Sequence, residues 1–214
     1  AAGAEDPGLR PYLPLVDLRP GDPYRYPPLR RSSENLHRPG MFSAVEARMQ
    51  ERDGGLRDLF FVLERKPRIR SLEFAGDTPL PEKAMRAAIY SLRRGDLFEQ
   101  GLLPKAAAEL RDLLRSRGYF GAQVSPRVRL ADSRDSCTVQ FIVASGRRAR
   151  IARLVVDVDD PQQAGTLLGY YRGREFYVPE EFARVEERAR RLLKAAGYYF
   201  PEIKVREEFL EAER

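Results

Sequence analysis

Few side chains in this 214-residue chain could do covalent or metal chemistry: one histidine, His37, one cysteine, Cys137, and a short carboxylate run, Asp157, Asp159 and Asp160. A histidine can act as a base or metal ligand near neutral pH. His37, however, sits in a short helix beside Arg38-Pro39-Gly40 and reads as an exposed polar residue. One histidine and one cysteine fall short of the ligand count of a zinc site. Asp159-Asp160-Pro161 reads as a turn and helix cap. No phosphate loop, nucleophile elbow or dinucleotide fingerprint occurs. The expectation is therefore no catalytic residue, no metal and no cofactor. Cys137 shares the inward phase of a strand with Val139, Phe141 and Val143 and reads as a small buried hydrophobe, compatible with a reducing or an oxidising compartment.

What remains is the chemistry of the main chain. In residues 122–130, Val124, Val128 and Leu130 alternate with Gln123, Ser125, Arg127 and Arg129, the period of a strand with one buried face. Pro126 interrupts this run, and proline, lacking an amide donor, belongs at a sheet edge or a bulge. An edge presents unpaired N–H and C=O groups to which an extended peptide can add as a further strand. Gln123, Val124, Ser125, Arg127, Val128 and Arg129 are the candidate peptide-binding edge. A second proline at Ser125 is expected to block a guest strand without unfolding the host.

Basic side chains offer another possibility. The net charge of +6 divides unevenly, with most of it in residues 67–146, but it is strewn among 32 acids where a nucleic-acid surface would concentrate it. Arg147, Arg148 and Arg150 read first as a solvated linker and second as a contact for lipid head groups or a partner.

The elements that must position this edge recur along the chain. A helix with Leu110, Leu113 and Leu114 inward ends at Gly118, is followed by Tyr119 and Phe120, and leads into the strand at 122–130. The same unit returns at Gly197-Tyr198-Tyr199-Phe200 and, with a shorter helix, at Gly40-Met41-Phe42. A second marker precedes each copy: Gly21-Asp22-Pro23-Tyr24, Gly95-Asp96-Leu97-Phe98 and Gly173-Arg174-Glu175-Phe176. The paired glycines are 19, 23 and 24 residues apart, close enough to define a repeat. Gly95, Phe98, Gly118, Tyr119, Phe120, Gly173, Phe176, Gly197 and Tyr198 are the structural motif, with the aromatics expected as core anchors under the helix turn.

The complete copy runs strand (69–74), helix (81–92), helix (102–117) and a hairpin of strands (122–130 and 137–144). The expected fold class is α+β: tandem small modules, each strand-helix-helix-strand-strand with a three-stranded mixed sheet covered by two helices. Three modules are expected, at residues 1–66 (opening strand missing), 67–146 (complete) and 147–214 (closing strand missing). In the first, residues 9–18 carry prolines unsuited to a helix interior, Asp53-Gly54-Gly55 forms a hairpin turn, and the strand through Leu59–Leu63, apolar on both faces, should be the best buried. No run approaches the roughly 20 apolar residues of a membrane-spanning helix.

This order of elements resembles the polypeptide-transport-associated (POTRA) domains of the outer-membrane barrel-assembly protein family. The resemblance covers residues 9–210 and is carried by Ile69 to Gly76, Gly95-Asp96-Leu97-Phe98, Gly118-Tyr119-Phe120 with Val124, and Gly146 to Ile151. It implies a periplasmic location at the cell outer membrane, ahead of a C-terminal membrane barrel absent from these residues. It further implies no enzymatic activity, partners among unfolded outer-membrane proteins and accessory assembly proteins, and binding by β-augmentation that guides insertion. Two alternatives are a two-partner secretion transporter and an RNA-binding βαα module. The latter needs a Gly-x-x-Gly loop between helices, which Gly95 to Gly101 does not supply.

Overall fold

The computed structural model describes residues 7–155, 165, 166, 169 and 173–198. A 3₁₀ helix, Pro7–Leu15, is followed by α1 (Tyr26–His37), β1 (Phe42–Glu51), β2 (Arg57–Arg65), β3 (Arg68–Asp77), α2 (Glu82–Ala88), α3 (Leu103–Ser116), β4 (Gln123–Leu130), β5 (Ser136–Ala144) and α4 (Pro179–Ala195). β1 and β2 make a two-stranded sheet, and β3, β5 and β4 a three-stranded one in that order. The chain divides into two compact units. The first holds residues up to Glu73 with 91–103 and 127–140; the second holds 74–90, 104–126 and residues from 141 on.

In the first unit, Pro11 and Pro14 lie inside the opening helix, which takes the tighter 3₁₀ form where α2 is α-helical. The Tyr12 ring meets Phe42 edge-on at 5.0 Å. Fully buried Ser32 accepts from the Asp17 amide at 2.9 Å and donates to the Pro28 carbonyl at 2.8 Å, tying the lead segment to α1. The hairpin turns through Asp53–Gly55, closed by the Arg52 amide on the Leu56 carbonyl at 2.8 Å.

β2 corrects one expectation. Phe60 and Val62 remain 47% and 39% exposed. The register pairs Phe60 with Arg48 and Val62 with Glu46, while Leu59, Phe61 and Leu63 pair with Met49, Ala47 and Val45 on the other face. Successive side chains point to opposite faces, and this strand carries large apolar groups on both. Only the second set reaches partial burial throughout.

β3 and β5 run parallel. In the first unit the Arg68 amide donates to the Asp135 carbonyl at 2.8 Å and Ser71 bonds Thr138 at 3.1 Å; in the second, Gly76 lies against the Val143 carbonyl and Ser145 bonds Asp77. Both numbers rise together. β4 and β5 form a hairpin closed by the Ala131 amide on the Ser136 carbonyl at 2.9 Å. The sheet is therefore mixed, and the α+β class read from the sequence holds.

In the second unit α3 buries Ala106, Leu110 and Leu114, spaced four apart on one face. Phe141 stacks on Phe74 at 5.8 Å, and Met85 and Ile89 are buried. Phe74 and Val124, expected in the core, are half-buried. α2 stops at Ala88, short of the expected Leu92, because the carboxylate of buried Glu109 takes the Tyr90 amide at 3.0 Å and Ile89 turns extended. α4 buries Phe182, Val185 and Ala189. Spacing of i, i+4 on α4 would pair Glu180 with Arg184, but Glu180 faces Arg117 at 3.4 Å. The sequence pattern further places a strand at 151–158, a short helix through Ala164, Leu167 and Leu168, and a strand at 202–210; the first lies partly outside the described residues, and those three helix residues and the last strand lie wholly outside.

Cys137 is buried in β5, and burial pushes its thiol above the ordinary range. The thiolate is the reactive form, so a raised value and a closed site both slow alkylation. Native protein at pH 8 is expected to resist iodoacetamide and to label fully in denaturant. Rapid native labelling detected by mass spectrometry would show the β5 face open.

Candidate functional site

β4 lies at the edge of the three-stranded sheet, with β5 as its strand neighbour. Gln123, Ser125, Arg127 and Arg129 are exposed, whereas Val124, Pro126 and Val128 are half-buried. The Arg129 guanidinium pairs with Glu73 of β3, so this basic phase lies across the sheet's outer face. What β4 offers at its open side is backbone.

The direction of that backbone follows from one bond. The Ala131 amide donates to β5, and amides alternate in direction along a strand, so those of Gln123, Ser125, Arg127 and Arg129 also point toward β5. Val124, Val128 and Leu130 point their amides outward, and Pro126 lies on the same outward phase, where no host bond is lost. This overturns the expectation for Ser125: a proline there removes a donor from the host sheet. Val128, whose amide points outward, is a position at which proline would cost the host sheet no hydrogen bond.

The glycine and aromatic motif does something other than anchor a core. Gly118 and Gly197 close α3 and α4 identically. The Gly118 amide reaches the Arg115 carbonyl at 2.9 Å and Tyr119 the Leu114 carbonyl at 3.0 Å; Gly197 reaches Lys194 at 3.1 Å and Tyr198 reaches Leu193 at 3.0 Å. Tyr119 and Phe120 are only half-buried, and Tyr198 is exposed. The turn after α3 then receives the linker, with the Ala149 amide on the Gly118 carbonyl at 2.8 Å.

On its other side the linker pairs with the second marker. The Tyr177 amide donates to the Ala149 carbonyl at 2.8 Å, the Ile151 amide donates to the Glu175 carbonyl at 2.9 Å, and Arg150 and Phe176 form an antiparallel bridge. The earlier linker repeats this pattern: the Phe98 amide on the Pro67 carbonyl at 2.8 Å, the Ile69 amide on the Asp96 carbonyl at 2.9 Å, and an Arg68–Leu97 bridge. Phe98 therefore corresponds to Tyr177, not to Phe176 as the spacing suggested, and Phe176 corresponds to Leu97. One extra residue after Gly173 hides this shift, and only the hydrogen bonds reveal Tyr177. Its ring stacks on Phe120 at 5.9 Å and meets Phe182 edge-on at 4.7 Å.

His37 is exposed on α1, and among the described residues no group of three or more histidine, cysteine or carboxylate side chains is placed to hold a metal. Asp157, Asp159 and Asp160 lie outside the described residues.

Residues 67–146 match the POTRA family, described as a surface antigen variable number repeat. Residues 67–146 form a POTRA domain. The chain is 25% identical over 145 residues to outer membrane protein assembly factor BamA of Nitratidesulfovibrio vulgaris, a match covering 68% of this chain and 18% of that protein. It is 30% identical over 143 residues to BamA of Neisseria meningitidis serogroup B, covering 65% of this chain and 17% of that one. It thus spans less than a fifth of the length of these curated relatives. Among solved structures it is similar to the N-terminal domain of Omp85 from Thermosynechococcus elongatus, at 17% identity and a TM-score of 0.45 over 87% of this chain and 81% of that one. Haemophilus influenzae BamA POTRA3-5 is similar at 15% identity and a TM-score of 0.39, covering 95% and 85%. The chain thus carries a POTRA domain and is similar, over these spans, to BamA proteins of the barrel-assembly family.

Proposed function

We propose that this chain is the periplasmic POTRA region of an outer-membrane protein assembly factor, built as three modules at residues 1–66, 67–146 and 147–214. It carries no catalytic role. The edge of β4, at Gln123, Val124, Ser125, Arg127, Val128 and Arg129, receives extended segments of unfolded barrel proteins or accessory subunits by strand addition and guides them toward insertion. The observation that carries this reading is the placement of β4 at the sheet edge with Pro126 on its outward phase. Main-chain bonding with few side-chain anchors suits a binder of many clients. A small interface of this kind supports dissociation constants in the high micromolar range or weaker.

Amide chemical-shift mapping with a peptide of alternating apolar and polar residues tests it. Shifts concentrated at Gln123 to Leu130 are expected, and Val128→Pro should abolish them while leaving the folded spectrum intact. Shifts confined to Arg147 to Arg153 would reject the reading.

A further inference from the structure

The hydrogen-bond register that equates Pro67 with Ala149 and Ile69 with Ile151 also equates Lys66 with Arg148. Each linker is bonded on both sides. The Lys66 amide reaches back to the Met41 carbonyl at 2.8 Å, the Ala149 amide reaches back to Gly118, and the forward bonds run to the next marker. Backbone bonds on two sides fix where a linker lies.

The side chains at this position reach farther out. Arg148 donates from Nε to the Arg117 carbonyl at 3.0 Å, and its guanidinium lies 5.0 Å from the Phe176 ring and 5.9 Å from Tyr119. It therefore touches the end of α3 and the marker after the linker at once. A guanidinium suits this place, since its plane stacks on rings while its edge donates in a fixed direction. Lys66, largely buried, crosses its own linker differently, with Nζ 2.8 Å from Glu99 Oε1, one residue past Phe98.

We propose that Arg148 is a torsional strut that restrains rotation between the end of α3 and the segment carrying Phe176. The strut is independent of whatever β4 binds and of the stability of either module.

Spin labels at Asp112→Cys on α3 and Ala183→Cys on α4, both exposed sites, report the second joint in the full 214-residue chain. The parent is expected to give a narrow distance distribution and Arg148→Ala one at least twice as wide. Arg148→Lys, which keeps charge but loses the planar stack, should fall between. Lys66→Ala should leave this distribution unchanged, and hydrogen-exchange protection at Leu110 and Leu114 should be the same in every variant. An unchanged width in Arg148→Ala would overturn the proposal. So would broadening accompanied by lost protection at Leu110, which would make Arg148 a determinant of folding instead of a strut.

Discussion

Replacing Leu110 with alanine is expected to destabilise the second unit by about 2 to 5 kcal/mol, the range for deleting a fully buried leucine side chain where the surroundings cannot collapse. Leu110 is 0% exposed. Phe141 and Val143 of β5 are equally closed off in the same unit, so the vacated volume lies within an already packed interior. Against the roughly 5 to 15 kcal/mol that holds a typical domain together, and less in a small module, such a loss brings the fold close to its threshold. Leu113 supplies the control. It was expected inward by the same helical spacing but is only half-buried, so Leu113→Ala should cost clearly less. Urea titrations followed by far-ultraviolet circular dichroism decide: equal midpoint shifts for the two variants would mean that α3 is rotated from the face described.

The difference between Leu110 and Leu113 marks how far a sequence pattern carries. A period of 3.6 with glycine punctuation located α3 and β4 and revealed the repeat, because Gly21, Gly40, Gly95, Gly118, Gly173 and Gly197 all take positive φ, a conformation that other residues rarely adopt. Those signals are local. The early end of α2 depends on Glu109, nineteen residues after Tyr90, and no local pattern contains it. The exposure of Phe60 and Val62 reflects how little cover a two-stranded sheet gives its second face, a tertiary fact that apolar composition cannot express. At β4 the alternation of Gln123, Ser125, Arg127 and Arg129 with the valines gave the side-chain phase correctly. It left the amide direction open, since that depends on which side the partner strand lies, and the Ala131 bond supplies it. The offset between Phe98 and Tyr177 was hidden because Phe176 is aromatic too.

Gly118→Ala is expected to be more damaging than its chemistry suggests, and Gly197→Ala is the measure of the excess. The two glycines take φ of 93° and 98° and close their helices with the same pair of hydrogen bonds. A Cβ at either position meets the same backbone penalty, about 1 to 2 kcal/mol for an L-residue held in a left-handed conformation. Their surroundings differ. At Gly197 no atom of the described residues lies within 4 Å of an added Cβ, whereas at Gly118 it would press on the Tyr177 carbonyl and stand 3.3 Å from Arg148 Cγ. A backbone oxygen cannot swing away as a side-chain tip can, so the Tyr177 segment must shift. That strains the Tyr177 bond to Ala149 and the stack on Phe120, and such overpacking adds about 1 to 3 kcal/mol. Gly118→Ala should therefore lower the urea midpoint further than Gly197→Ala. It should also remove hydrogen-exchange protection from the Ala149 and Tyr177 amides, which Gly197→Ala leaves intact. If both variants cost the same and both keep that protection, Gly118 serves only to end α3, and the close approach of the linker segment to the turn contributes nothing to stability.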